Sequence, residues 1–256
     1  GMAGRQRTAS DLIEHVRPWV AEIQQAVYTG MFHMLSGFAM LMAGDWPAAI
    51  AFTERSIALG SETNEPLMQY LSWDTNAAAH NQLGEAEAAL AGRARALDIR
   101  RSHGGGLLKD WFDVVEAESY LKAGRVAEAI EQANKVALAS RPTGNMVSLA
   151  VAARVIGAGL AKLGGAPAEV DRHLQESLAL ASGNGLVIEN LRTELVCAQI
   201  AAARGEHPAA ATHFQRAQAL LTPEMGEHPR AEFLQQIKLG LPPETTQEGS
   251  AAPRSG

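Results

Sequence analysis

Residues 77–96, AAAHNQLGEAEAALAGRARA, set Gly84 between two alanine-rich arms. Alanine loses no side-chain entropy in a helix, so each arm favours helix. Glycine at such a junction tolerates the left-handed conformation that often ends one. The stretch therefore predicts two helices joined by a tight turn. One period earlier, residues 37–56 (GFAMLMAGDWPAAIAFTERS) repeat the design around Gly44, and one period later residues 117–136 (AESYLKAGRVAEAIEQANKV) repeat it around Gly124. Gly165 and Gly205 continue the series, at intervals of 40, 40, 41 and 40 residues. A fixed period of this length is the sequence mark of a stacked repeat.

The register extends to packing positions. Gly37, Ala77, Ala117, Ala158 and Ala198 stand seven residues before the glycines. Ala49, Ala89, Ala129, Val170 and Ala210 stand five after them, and Ser56, Ala96, Val136, Ser177 and Ala217 stand twelve after. All are small, as two closely approaching helix axes require. Pro47, Pro167 and Pro208 follow their glycines by two or three residues, where a first-turn proline costs the helix no hydrogen bond. Asp45 is placed to cap the helix that follows Gly44. Glu65-Pro66, Gly104 to Gly106, Arg141 to Gly144 and Gly183 to Gly185 break the chain between repeats.

Composition agrees. The chain has 256 residues, is 46% hydrophobic and only 5% aromatic, and reads as all-α. A formal charge of −6 argues against a nucleic-acid partner, which needs a basic footprint. The single cysteine, Cys197, permits no disulfide within the chain and reads as a small buried residue. The longest apolar candidate, Leu149 to Leu163, is interrupted by Arg154 and Lys162, so no membrane span is expected. With no apolar signal core at the start, the expected setting is cytoplasmic.

The turn glycine flanked by small residues, with Trp73 eleven residues before Gly84, resembles the tetratricopeptide repeat over about residues 30–222. The period departs from that family's roughly 34 residues, and few of its large aromatic positions are kept. The resemblance implies a right-handed superhelical α-solenoid of about five helix–turn–helix repeats. Longer repeats of this kind resemble the C-terminal helical regions of bacterial signalling ATPases, including cyclase-linked and maltose-regulator-type activators. The expected organisation is an N-terminal helix at 1–29, repeats at 30–225, a capping helix at 226–240 and a disordered tail at 241–256. Gly4, Ala9 and Val16 echo the register one period before Gly44. Residues 5–27 are then either the second helix of an incomplete repeat or a simple cap.

Motifs of catalysis are missing. His103-Gly104-Gly105-Gly106 matches an esterase oxyanion loop, but the chain has no Gly-x-Ser-x-Gly nucleophile turn. Gly157-Ala158-Gly159 begins like a dinucleotide fingerprint, yet Lys162 stands where its third glycine belongs. No histidine pair has metal-ligand spacing on one helix face. Asp110, Asp113, Glu116 and Glu118, near Lys109 and Lys122, read as a solvated helix face. Glu116 is the exception, since it falls where this repeat packs an apolar residue. Arg93, Arg95, Arg100 and Arg101 read as cations complementing a helix C-terminus, with a docking patch as the other reading. Neither enzyme activity nor a cofactor or metal is expected.

In the resembled family the first helix of each repeat lines the concave face. Carrying the register over places Met31, Met34, Phe38, Leu41 and Met42 there in the first repeat, and Leu71, Asp74, Ala78, Asn81 and Gln82 in the second. The third repeat contributes Trp111, Val114, Glu118, Leu121 and Lys122, and the fifth Arg192, Leu195, Gln199, Ala202 and Ala203. The methionine-rich stripe needs burial, either under the N-terminal helix or against a peptide, helix or second copy. The mixture around Trp111 has the texture of a small-ligand pocket. The expected function is a scaffold that binds a peptide or helix on this face. The alternative is a sensing module of a larger signalling protein, with a small-molecule ligand or a homodimer as further partners.

Overall fold

The computed structural model describes residues 6–104, 106–222 and 227–240, so the expected tail at 241–256 lies outside them. Within the described residues the chain is all helix: α1 (Gln6–Ile23), α2 (Ala26–Ala43), α3 (Trp46–Thr63), α4 (Pro66–Gln82), α5 (Ala86–His103), α6 (Lys109–Lys122), α7 (Val126–Ser140), α8 (Met146–Lys162), α9 (Pro167–Gly183), α10 (Val187–Ala203), α11 (His207–Ala219) and α12 (Glu227–Gly240). Helices α2 to α11 form five antiparallel pairs, each joined by a tight turn. The second helix of each pair packs against the first helix of the next, and the even-numbered helices stack on one another from α2 to α12. The result is an α-solenoid with an even-numbered inner layer and an odd-numbered outer one.

The turns show why the period holds. Gly44 lies at φ +88°; its N–H bonds the Leu41 carbonyl and the Asp45 N–H bonds the Met40 carbonyl, closing α2 as a Schellman cap. Gly84, Gly124 and Gly205 repeat both the left-handed conformation and the bonding. The fourth turn corrects the sequence reading. Its left-handed residue is Gly164, at φ +70°, and Gly165 takes the place of Asp45. Counted through Gly164 the intervals are 40, 40, 40 and 41, and Ala166, inserted ahead of α9, accounts for the last. Counting from Gly164, the small residue seven places earlier is Gly157 rather than Ala158. A Cβ on Gly157 would stand 2.9 Å from Leu174 Cγ and 3.3 Å from the Val170 carbonyl oxygen, so the axes of α8 and α9 approach too closely for alanine.

Caps and polar pegs fix the remaining geometry. Asp45 accepts a bond from the Ala48 N–H at 3.1 Å and starts α3, and Asn145 does the same for α8 through Ser148. The small residue twelve after the turn acts differently among repeats. Ala96 and Ala217 are packed against neighbouring helices, whereas Ser56 donates to the Gly30 carbonyl and Ser177 to that of Ala150, each pinning the second helix to its partner. Ser72 and Thr193, from the next helix along, bond the same two hydroxyls.

Two further expectations change. Helix α2 begins at Ala26, ahead of the boundary placed at residue 30, and it is 18 residues of high hydropathy without a charged side chain. By length and composition it is able to span a membrane, which the sequence reading overlooked; here it packs against α1, α3 and α4. Helix α1 runs unbroken through Pro18 and lies on α2, burying Ile13 in the same core cluster as Met34. At the other end α12 packs on α10 and α11 through Phe233 and Ile237.

Candidate binding cavity

The inner faces of α4, α6, α8 and α10 enclose a cavity of about 630 Å³, edged by α12. From α4, α6, α8 and α10 its polar wall takes Gln82, Glu118, Lys122, Arg154, Arg192 and Gln199, and Gln235 and Gln236 of α12 add to it; Leu195, Val196 and Phe233 supply apolar wall. The even-numbered layer brings these together because the inward positions of each first helix recur on the same face. Four of the six were expected on the concave face as site residues, and Gln82 was placed there as lining.

Arg154 was not, and it organises the cavity. Its guanidinium is almost wholly buried, with Nη2 donating to Glu118 at 2.5 Å and Nη1 to Glu189 at 2.7 Å. Glu189 also accepts from Arg192 at 2.7 Å, and Arg192 reaches across the superhelix to the side-chain amide oxygen of Gln82. Asn81, fully buried, donates to Glu118 at 3.3 Å and accepts from Ser119, and its main-chain carbonyl accepts from Lys122. A polar belt thus runs from α4 through α6 and α8 to α10. Burial alone would raise the Glu118 carboxyl; the cations of Arg154, Lys122 and Arg192 outweigh it and hold the group well below the usual carboxylate range.

Asp74 belongs elsewhere. It is 1% exposed, and its two oxygens are taken by Arg93 and Arg100 of α5. Arg93 also donates to Asp113 and, at 3.4 Å, to Glu116 of α6, so one guanidinium ties three helices. The acidic cluster read as a solvated face is therefore split: Asp113 and Glu116 close on Arg93, and Glu118 on Arg154. The odd placement of Glu116 has this cause. Arg93 is a buried ion-pair partner away from the helix end; Arg100 and Arg101 do fall in the last turn of α5, Arg100 buried against Asp74 and Arg101 exposed and paired with Asp98.

The methionine-rich stripe is also divided. Met34 is buried under α1, Met31 remains exposed, and Phe38 sets its ring edge-on to Trp111 at 5.9 Å. Leu41 and Met42 turn inward with Trp111 to line a smaller recess, closed by Leu186, Ile188 and Arg192 of the fifth repeat. The His103 glycine loop joins α5 to α6 with no strand ahead of it among the described residues, and Gly105 lies outside them. Cys197 is buried, which with Glu194 and Asp171 nearby pushes its thiol up to about 12 and leaves it protonated. No group of three metal-ligating side chains occurs among the described residues.

No protein-family model matches this chain, and no curated protein does. Among solved structures, the crystal structure of the apo form of RapI is similar, with a TM-score of 0.54 over 90% of this chain and 68% of that one. Sequence identity is 14%, so the likeness is one of fold: a helical repeat.

Proposed function

We propose that the chain is a non-catalytic interaction scaffold whose inner cavity receives a peptide or helical segment of a protein partner. The carrying observation is that polar and apolar side chains from α4, α6, α8 and α10 converge on one open cavity of about 630 Å³, with Gln199 and Lys122 exposed at its wall. Stacked repeats make such surfaces because each pair turns slightly on the last. The tetratricopeptide likeness of the period and of the small packing positions supports the reading, since that family uses its first helices in this way. Apolar wall beside hydrogen-bonding amides suits an extended peptide, which needs both anchorage and main-chain partners.

The test is a random peptide library selected on the intact chain. Selected peptides should lose affinity roughly tenfold or more on Gln199→Trp, which fills the cavity, and keep it on Leu138→Trp on the outer surface of α7. Equal loss on both, or on neither, would place binding elsewhere. The second reading, a sensing module of a larger signalling protein, is favoured by the Arg192–Gln82 contact that draws the solenoid around the cavity. It calls for a thermal shift with small metabolites in place of the peptide response.

A further inference from the structure

The charge inside the cavity runs against the charge of the whole chain. The protein carries a formal −6, but the cavity wall presents Lys122, Arg154 and Arg192 against Glu118. Glu189, which lines the adjoining recess, is shared between Arg154 and Arg192. A positive recess in an acidic shell selects for anions by position, because low-dielectric walls focus the field where side chains converge. Arg154 is the built element. Its guanidinium is 3% exposed, its two terminal nitrogens are fixed by carboxylates from α6 and α10, and its planar fork matches a carboxylate.

Glu118 holds one arm of that fork, Nη2, through a single oxygen, where an incoming carboxylate would bind. It also has an alternative donor in Asn81, so it is able to leave Arg154 without losing every hydrogen bond. We infer that the cavity is a carboxylate-exchange site for the acidic side chains of a peptide partner, with Glu118 holding Nη2 of Arg154 until the partner's carboxylate replaces it. This rests on the scaffold reading and names the chemistry of the partner. Release of Glu118 from Arg154 would loosen the tie between α6 and α8, so occupancy and the spacing of these two helices are linked.

A fluorescein-labelled poly-glutamate peptide, with poly-lysine and poly-glutamine controls, tests this by polarisation on the intact chain. Poly-glutamate should bind, more weakly at high salt, and the controls should not. Lys122→Gln and Arg192→Gln should each weaken it roughly tenfold, while Glu118→Gln, which takes the competing carboxylate off Nη2 and leaves Glu189 on Nη1, should strengthen it by a similar factor. Lys122 is exposed and Arg192 half-buried, so both variants should fold; circular dichroism melts check this. Unchanged binding in the cation variants, or weaker binding in Glu118→Gln, overturns the exchange site. Inorganic phosphate that stabilises the protein with the same variant dependence, in the absence of poly-glutamate binding, would make the ligand a small anion and overturn the peptide assignment. The library selection separates the two levels. Cavity-dependent peptides lacking acidic residues would leave the scaffold standing and sink the exchange site, and no cavity-dependent peptide would sink both.

Discussion

Arg93 and Arg154 are equally buried and each gathers carboxylates from neighbouring helices, yet they serve different surroundings. Around Arg93, the partner Asp74 has no exposed side-chain surface, and Arg100 completes its hydrogen bonding while stacking over the Tyr70 ring. That knot fastens α4, α5 and α6, an outer helix to two inner ones. Around Arg154 the three helices joined, α6, α8 and α10, are all inner, and both Glu118 and Arg154 form wall of a cavity. The same chemistry is therefore glue between layers in one place and an interactive surface in the other. Ion pairs enclosed on all sides resist loss of one member most strongly, because the remaining charge has nowhere to hydrate.

The largest effect should come from Arg93→Met. It leaves Asp74 and Asp113 with only Arg100 and Lys109 as cations and Glu116 with the neutral donors Tyr120 and Gln132, and should cost roughly 3–5 kcal/mol in urea unfolding. Arg154→Met should cost less, roughly 1.5–3 kcal/mol, because cavity water rehydrates Glu118 and Glu189. It should also abolish poly-glutamate binding. Equal costs for the two variants would erase the distinction between the knots.

Much of this architecture was legible in advance because a 40-residue period repeats the same physical demand five times. A left-handed cap asks for glycine, and close axes ask for small residues, wherever they recur. The fourth turn misled because Gly164 and Gly165 are adjacent and either satisfies the spacing; Gly157, seven before Gly164, carried the signal that separates them. The same slip hid Arg154, which stood out only as a break in an apolar run. Counted from Gly164 it falls ten residues before the turn, level with Met34 and Asp74. Asp74 was assigned to the groove because its partners come from another helix. Arg93 and Arg100, seven apart and so on one face of α5, were the available sign. The approach of Arg192 to Gln82 depends on how tightly the superhelix winds, and no local pattern encodes that.

The knots should also answer pH in opposite senses. Burial pushes Asp74 up to about 6 in spite of Arg93 and Arg100, against an ordinary value of 3.8. The native state then holds the proton more tightly than the unfolded chain, so the contribution of Asp74 is complete below 3.8 and declines as pH rises through about 6. Glu118 is shifted the other way, so its contribution is present above the ordinary 4.5 and is lost as pH falls toward its lowered value. Urea midpoints from acid to neutral pH should show Asp74→Asn flattening the decline between those two Asp74 values. Glu118→Gln should flatten the loss on the acid side instead. Both variants altering the same limb would mean that the two networks titrate as one.

The smallest effect is the sharpest control, since it compares two lysines that are alike in exposure. Lys109 pairs with Asp113 at the edge of the enclosed knot, with 58% of its side chain exposed, and Lys122 stands exposed at the cavity wall. The Lys109 pair with Asp113 and the Lys122 bond to the Asn81 main-chain carbonyl each involve an exposed lysine and contribute about 1 kcal/mol, so Lys109→Gln and Lys122→Gln should be nearly indistinguishable in thermal melts. They should part in binding: Lys122→Gln should weaken poly-glutamate and Lys109→Gln should leave it unchanged. Asp113 keeps its bond to Arg93 in the Lys109 variant, so nothing in that knot is freed to signal to the cavity. A loss of binding in Lys109→Gln equal to that in Lys122→Gln would show that the acidic peptide is drawn by net charge alone, and the contrast between a fastening network and a receiving one would fail.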